Sequence, residues 1–187
     1  MNVNSLTSLS YIDCSDNGFT SLDFSGNTSL TEIYCGSNLL TSINISGLAS
    51  LIELDLSNNK FTSLNFSGLG LSSLKEIYCN TNSLTSLNVS GLTSLNYVSC
   101  LDNKLETLNF STNTALNKLN CSVNLLTSLN VKNKNNLHLT DFNAKFNPYL
   151  TCIQVDDVEY STNLWTNIDA GVSFNTCLLY TSDAADE

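Results

Sequence analysis

Residues 92–116 read LTSLNYVSCLDNKLETLNFSTNTAL, and this stretch decides the fold. Its first phrase, Leu95-Asn96-Tyr97-Val98-Ser99-Cys100-Leu101-Asp102-Asn103, alternates apolar and polar side chains around Val98 and Cys100 and then closes on an asparagine. A period of two marks a short strand with one buried face. A second alternation follows at once, as it does in Thr85-Ser86-Leu87-Asn88-Val89-Ser90. Two such short segments facing each other make one coil.

The phrase recurs along the chain. Its closing residue is Asn17, Asn38, Asn59, Asn82, Asn103, Asn124 and Asn147, at intervals of 21, 21, 23, 21, 21 and 23 residues. Upstream of each lie three apolar columns. Leu9, Leu30, Leu51, Leu74, Leu95, Leu116 and Leu139 form the outermost. Ile12, Ile33, Leu54, Ile77, Val98, Leu119 and Phe142 form the middle one, and Cys14, Cys35, Leu56, Cys79, Cys100, Cys121 and Ala144 the last. One coil cannot bury such residues alone, whereas stacked coils bury them continuously. The closing asparagine amide is placed to bond its own turn and the adjacent coil, forming a ladder. A coil this short leaves no room for a full helix on its far side, so turns and short extended segments are expected there. The expected fold is a mainly β repeat solenoid of about seven coils of 21–23 residues.

These phrases, with "LNKLNCSVNLLTSLNV" beside them, resemble the short leucine-rich repeats of bacterial (Bacteroidetes-like) surface and secreted proteins. The resemblance implies a non-catalytic binding or adhesion module at the cell surface or outside the cell. It assigns 1–147 to the repeat array and 148–176, with Trp165 as a plug, to a C-terminal capping flank. Aligned with Leu87-Asn88-Val89, Met1-Asn2-Val3 begins halfway through a coil, as an internal methionine of a truncated array would. Residues 177–187 break the pattern and resemble an in-frame translation of a transposon-type sequencing adapter, so they are expected to be a non-native tail.

Composition narrows the function. The 187 residues carry a net charge of −10, with seven Lys and no Arg, a poor match for nucleic-acid backbones. No apolar run approaches membrane-spanning length, so no membrane insertion is expected. A single His138 without a readable partner, and no convergent acid–base or nucleophile set, give no expected catalytic residues. Cysteine shares its inward column with Leu56 and Ala144, so the site asks for a small apolar side chain. Metal spacing of the C-x₂-C kind is absent, and no metal or cofactor is expected. Cys152 falls outside that column, its pairing is open, and Cys177 belongs to the tail.

Binding residues are then expected on the polar positions flanking the middle column, on the concave side. Tyr11, Glu32, Glu53, Glu76 and Tyr97 precede it; Asp13, Tyr34, Asp55 and Tyr78 follow it. Tyrosine offers large contact area at low entropy cost. A Tyr-rich acidic strip of this kind suits a protein partner, with a carbohydrate ligand as one alternative and a structural spacer with no ligand as another.

Overall fold

The computed structural model describes residues 6–175. The chain alternates between two faces. One face is built from β1 (Tyr11–Asp13), β3 (Glu32–Tyr34), β5 (Glu53–Asp55), β7 (Glu76–Tyr78), β9 (Tyr97–Ser99), β11 (Lys118–Asn120) and β13 (Asp141–Asn143). The other carries β2 (Ser21–Asp23), β4 (Ser42–Asn44), β6 (Ser63–Asn65), β8 (Ser86–Asn88), β10 (Thr107–Asn109), β12 (Ser128–Asn130), β14 (Cys152–Gln154) and β15 (Ser173–Asn175). All pairings are parallel and join successive coils. The first face is one seven-stranded sheet, and the second divides into β2-β4, β6-β8 and β10-β12-β14-β15.

Each strand has three residues because only one must point inward. Ile33, Leu54, Ile77 and Val98 are fully buried at the centres of β3, β5, β7 and β9, between polar neighbours that are partly exposed except for the buried Ser99. Leu22, Leu64, Leu87, Leu108 and Leu129 are buried from the opposite face, and the two rows form one continuous core. The solenoid counts about eight stacked coils, one more than the asparagine spacing gives. The reason is that the chain keeps stacking beyond Asn147: β14 pairs with β12, and β15 with β14.

The asparagine column forms the expected ladder. Asn59 Nδ2 donates to Leu56 O (3.1 Å) and Ser57 O (3.1 Å) in its own turn and to Cys35 O (2.9 Å) one coil back. Its Oδ1 accepts the Leu40 amide at 2.9 Å. Asn38, Asn82, Asn103, Asn124 and Asn147 repeat this scheme. The residue before each ladder asparagine turns left-handed, with φ between 50° and 59° at Asp16, Ser37, Asn58, Thr81, Asp102, Val123 and Phe146.

Past Asn147 the chain packs further aromatic side chains on the core. Trp165 is buried, stacks on Phe142 at 4.4 Å and donates Nε1–H to Leu139 O at 3.0 Å. It sits just after α1 (Val158–Leu164), a short helix whose N-cap Asp157 accepts the Tyr160 amide at 2.9 Å. In the array, the amides of the left-handed residue and the ladder asparagine bond the next coil, as Ser37 and Asn38 do to Ser57 O and Asn58 O. At Phe146 and Asn147 the Asp169 carboxylate accepts both instead, at 2.9 and 2.6 Å. Cys152 is disulfide-bonded, which answers the question its sequence position left open. The mid-repeat start at Met1 and the readings of Cys177 and residues 177–187 lie outside the described residues. Among the described residues, no helix is long and apolar enough to cross a membrane.

Candidate functional site

The register of the seven-stranded sheet puts the nine expected binding residues in two parallel columns. Tyr11, Glu32, Glu53, Glu76, Tyr97, Lys118 and Asp141 are successive partners in one. Asp13, Tyr34, Asp55, Tyr78, Ser99, Asn120 and Asn143 are successive partners in the other. Three glutamates therefore lie directly opposite one another on adjacent strands. Their partners along the ladder are only each other and the tyrosines at the two ends.

The tyrosines form two groups. Tyr11 and Tyr34 meet at 5.6 Å between ring centroids with a 47° tilt. Tyr78 and Tyr97 meet edge to face at 5.1 Å and 86°. Each group is tied to the carboxylates. The Tyr34 hydroxyl donates to Glu32 at 3.3 Å and the Tyr78 hydroxyl to Glu76 at 2.7 Å. Burial, followed by hydrogen bonding to and the charge of nearby glutamates, pushes both phenols above their ordinary acidity range. Burial also pushes the Glu53 carboxyl up. The Tyr34 hydroxyl opposes that shift, while the charges of Glu76, Glu32 and Asp55 add to it. At the far end, Lys118 Nζ lies 5.9 Å from the Tyr97 ring centroid, a cation over an aromatic face.

Asp13 and Asp55 serve the turn that follows their strands. Asp13 Oδ1 accepts the Ser15 amide at 2.9 Å, and Asp55 Oδ1 accepts the Ser57 amide at 2.8 Å. Hydrogen bonding from Ser15 holds the Asp13 carboxyl below its ordinary range. Asn120 and Asn143 make the same two-residue turn in the same column, so either side chain suffices. The polar group that sequence columns did not single out is Asn80. Its Oδ1 accepts the Ser99 hydroxyl (2.6 Å) and the Leu101 amide (3.0 Å), locking two coils together beside Tyr78 and Tyr97. Among the described residues, no group of three or more His, Cys, Asp or Glu is placed to hold a metal ion.

Solved structures share this architecture. The functional domain of InlJ from Listeria monocytogenes, which includes a cysteine ladder, matches with a TM-score of 0.74 at 28% identity over 88% of this chain. The chain is a leucine-rich repeat solenoid. TLR13, solved in complex with ssRNA13, matches at a TM-score of 0.65 and 22% identity over 81% of the chain. Internalin C2 from L. monocytogenes matches at 0.51 and 20% over 93% of this chain and 84% of its own. This chain spans 40% of the InlJ domain and 25% of the TLR13 chain. No known family profile and no curated protein matches it.

Proposed function

We propose that this solenoid is a non-catalytic protein-interaction module of a secreted or surface-attached bacterial protein. It docks its partner on the strip of Tyr11, Glu32, Tyr34, Glu53, Glu76, Tyr78 and Tyr97. The observation that carries this reading is the run of three in-register glutamates with a tyrosine group at each end. A protein segment bearing lysine or arginine would offset the stacked negative charge and lay its methylenes on the tyrosine rings. Lys118 over Tyr97 is an intramolecular instance of that contact. The same charge disfavours the phosphates of a nucleic acid.

A glycan ligand is the second reading, since the tyrosines invite it. Their tilts of 47° and 86° weigh against it, because they present no shared flat platform to a sugar ring. The test is display selection of peptides on the immobilised chain, compared with the Tyr34→Ala, Glu53→Ala, Tyr78→Ala triple variant. Enrichment of basic, aromatic-tolerant peptides that is lost in the triple variant is the expected result. Unchanged enrichment would remove the strip from contention. Retention of a polysaccharide instead of peptides would support the glycan reading, and retention of neither would support a spacer.

A further inference from the structure

The inward cysteine column is not uniform. All five of its cysteines are free and buried. Cys79, Cys100 and Cys121 form one run, and burial pushes each thiol up, Cys100 to about 12. Such thiols are packing groups with almost no thiolate at neutral pH. Leu56 interrupts the column, and beyond it stand Cys14 and Cys35, whose Sγ atoms are only 3.1 Å apart. Cys14 keeps 6% of its surface exposed, while Cys35 is fully enclosed. Either sulfur can donate to the other, and the Cys14 thiol also donates to Tyr34 O at 3.5 Å; the shared hydrogen bond favours thiolate at Cys14 and disfavours it at Cys35.

We infer that Cys14 and Cys35 are a peroxide-sensitive dithiol that closes to a disulfide between the first two coils. The two residues directly follow in-register parallel strands. Neighbouring strands lie roughly 4.8 Å apart, within the roughly 4.4–6.8 Å Cα separation that a disulfide spans. The sulfurs need to close by about 1 Å to reach bonding distance. In the first step the Cys14 thiolate attacks one oxygen of hydrogen peroxide. The O–O bond breaks, the departing hydroxide takes up a proton as water, and Cys14 becomes a sulfenic acid. In the second, the Cys35 sulfur attacks Cys14. The S–O bond breaks, and the leaving hydroxide departs as water with the Cys35 proton. Two thiols and one peroxide yield one disulfide and two waters.

The experiment treats the full chain with hydrogen peroxide, alkylates the remaining thiols after denaturation and maps the peptides by mass spectrometry. The expected product is a Cys14–Cys35 linked peptide, lighter by about 2 Da than the reduced pair and cleaved by dithiothreitol. Cys79, Cys100 and Cys121 should stay alkylatable. In Cys35→Ala, a change the column already tolerates at Ala144, Cys14 should instead accumulate as sulfenic and sulfinic acid. Folding of that variant is checked by circular dichroism, and the wild-type peptide map stands without it. A wild-type map in which Cys14 reaches sulfinic acid while Cys35 is alkylated would overturn the inference. So would oxidation of Cys79, Cys100 or Cys121 ahead of the pair, or a pair still reduced at a dose that oxidises a free-thiol standard.

Discussion

The ladder makes its strongest prediction at Asn59, which is 4% exposed. Asn59→Ala deletes three donated bonds and one accepted bond, but the losses are unequal. The three carbonyls keep other donors: Cys35 O retains Asn38 Nδ2 at 3.2 Å, Leu56 O retains Asn82 Nδ2 at 3.0 Å and Ser57 O retains the Ser37 amide at 2.9 Å. Each of those losses belongs near the lower end of hydrogen-bond values, about 0.5 kcal/mol. The Leu40 amide loses the acceptor that Asn59 Oδ1 provides, and a buried unpaired N–H costs about 1–3 kcal/mol. The expected loss is about 3 kcal/mol, roughly a hundred-fold in local equilibrium. Repeat arrays couple mainly between neighbours, so the loss should be read locally, by native-state hydrogen exchange at Leu40, alongside chemical denaturation. Asn59→Asp should be worse still at neutral pH, since a carboxylate would face three carbonyl oxygens. The control is Asn17→Ala. Among the described residues, Asn17 is exposed and donates to two carbonyls, at 3.1 and 2.8 Å, so it should cost under about 1 kcal/mol. Equal losses at Asn17 and Asn59, or an Asp tolerated at 59, would refute the reasoning that cross-coil satisfaction of Leu40 is what the ladder supplies.

Three further outcomes are expected. Asp169→Ala should strip the acceptor from the Phe146 and Asn147 amides, lowering stability by about 2 kcal/mol, with hydrogen exchange rising first at residues 144–150. Val123→Asn should stabilise by about 1 kcal/mol in thermal melts, because Val123 is an exposed β-branched residue held at φ 56° and asparagine visits that region readily. Glu53→Gln should raise the melting temperature slightly at neutral pH, worth a few tenths of a kcal/mol at this partly wet surface. The folded state holds the Glu53 proton more tightly than the unfolded chain, so stability falls as pH rises through the raised value. The advantage of Gln should therefore vanish in melts below the ordinary glutamate value of 4.5.

The array was legible because its rule is written once per coil. An asparagine that recurs every 21 or 23 residues beside an alternating apolar pair has one economical use, and the structure uses it that way. The packing role of the cysteines was legible from Leu56 and Ala144 in the same column. The 3.1 Å approach of Cys14 to Cys35 was not, because every cysteine in the column occupies the same repeat position in sequence. Asp169 escaped notice because it lies 22 residues beyond the amide it serves, in a flank where the pattern has stopped. The extra coil was missed for the same reason, since β15 carries Phe174 inward without any ladder asparagine to announce it. In the candidate site, the columns were readable from spacing alone. The turn duty of Asp13 and Asp55 was readable too, had Asn120 and Asn143 in the same column been weighed as their equivalents.

The acidic strip gains its significance from what the fold does not need. Ladder asparagines, strand pairing and the inward leucines satisfy the array's backbone and core without help from Glu32, Glu53 or Glu76. Like charges placed directly opposite on parallel strands cost stability, about 0.2–1 kcal/mol per pair. The same column holds a remedy, for Lys118 and Asp141 face each other in register two strands further on. A single lysine at position 53 would neutralise the run in the same way, yet the chain stacks three carboxylates and brackets them with four tyrosines. The Tyr34 and Tyr78 hydroxyls satisfy part of that charge by donating to Glu32 and Glu76. Under the proposed function, a cationic segment arriving from another protein would relieve the remaining repulsion only when bound, adding that relief to the free energy of the complex.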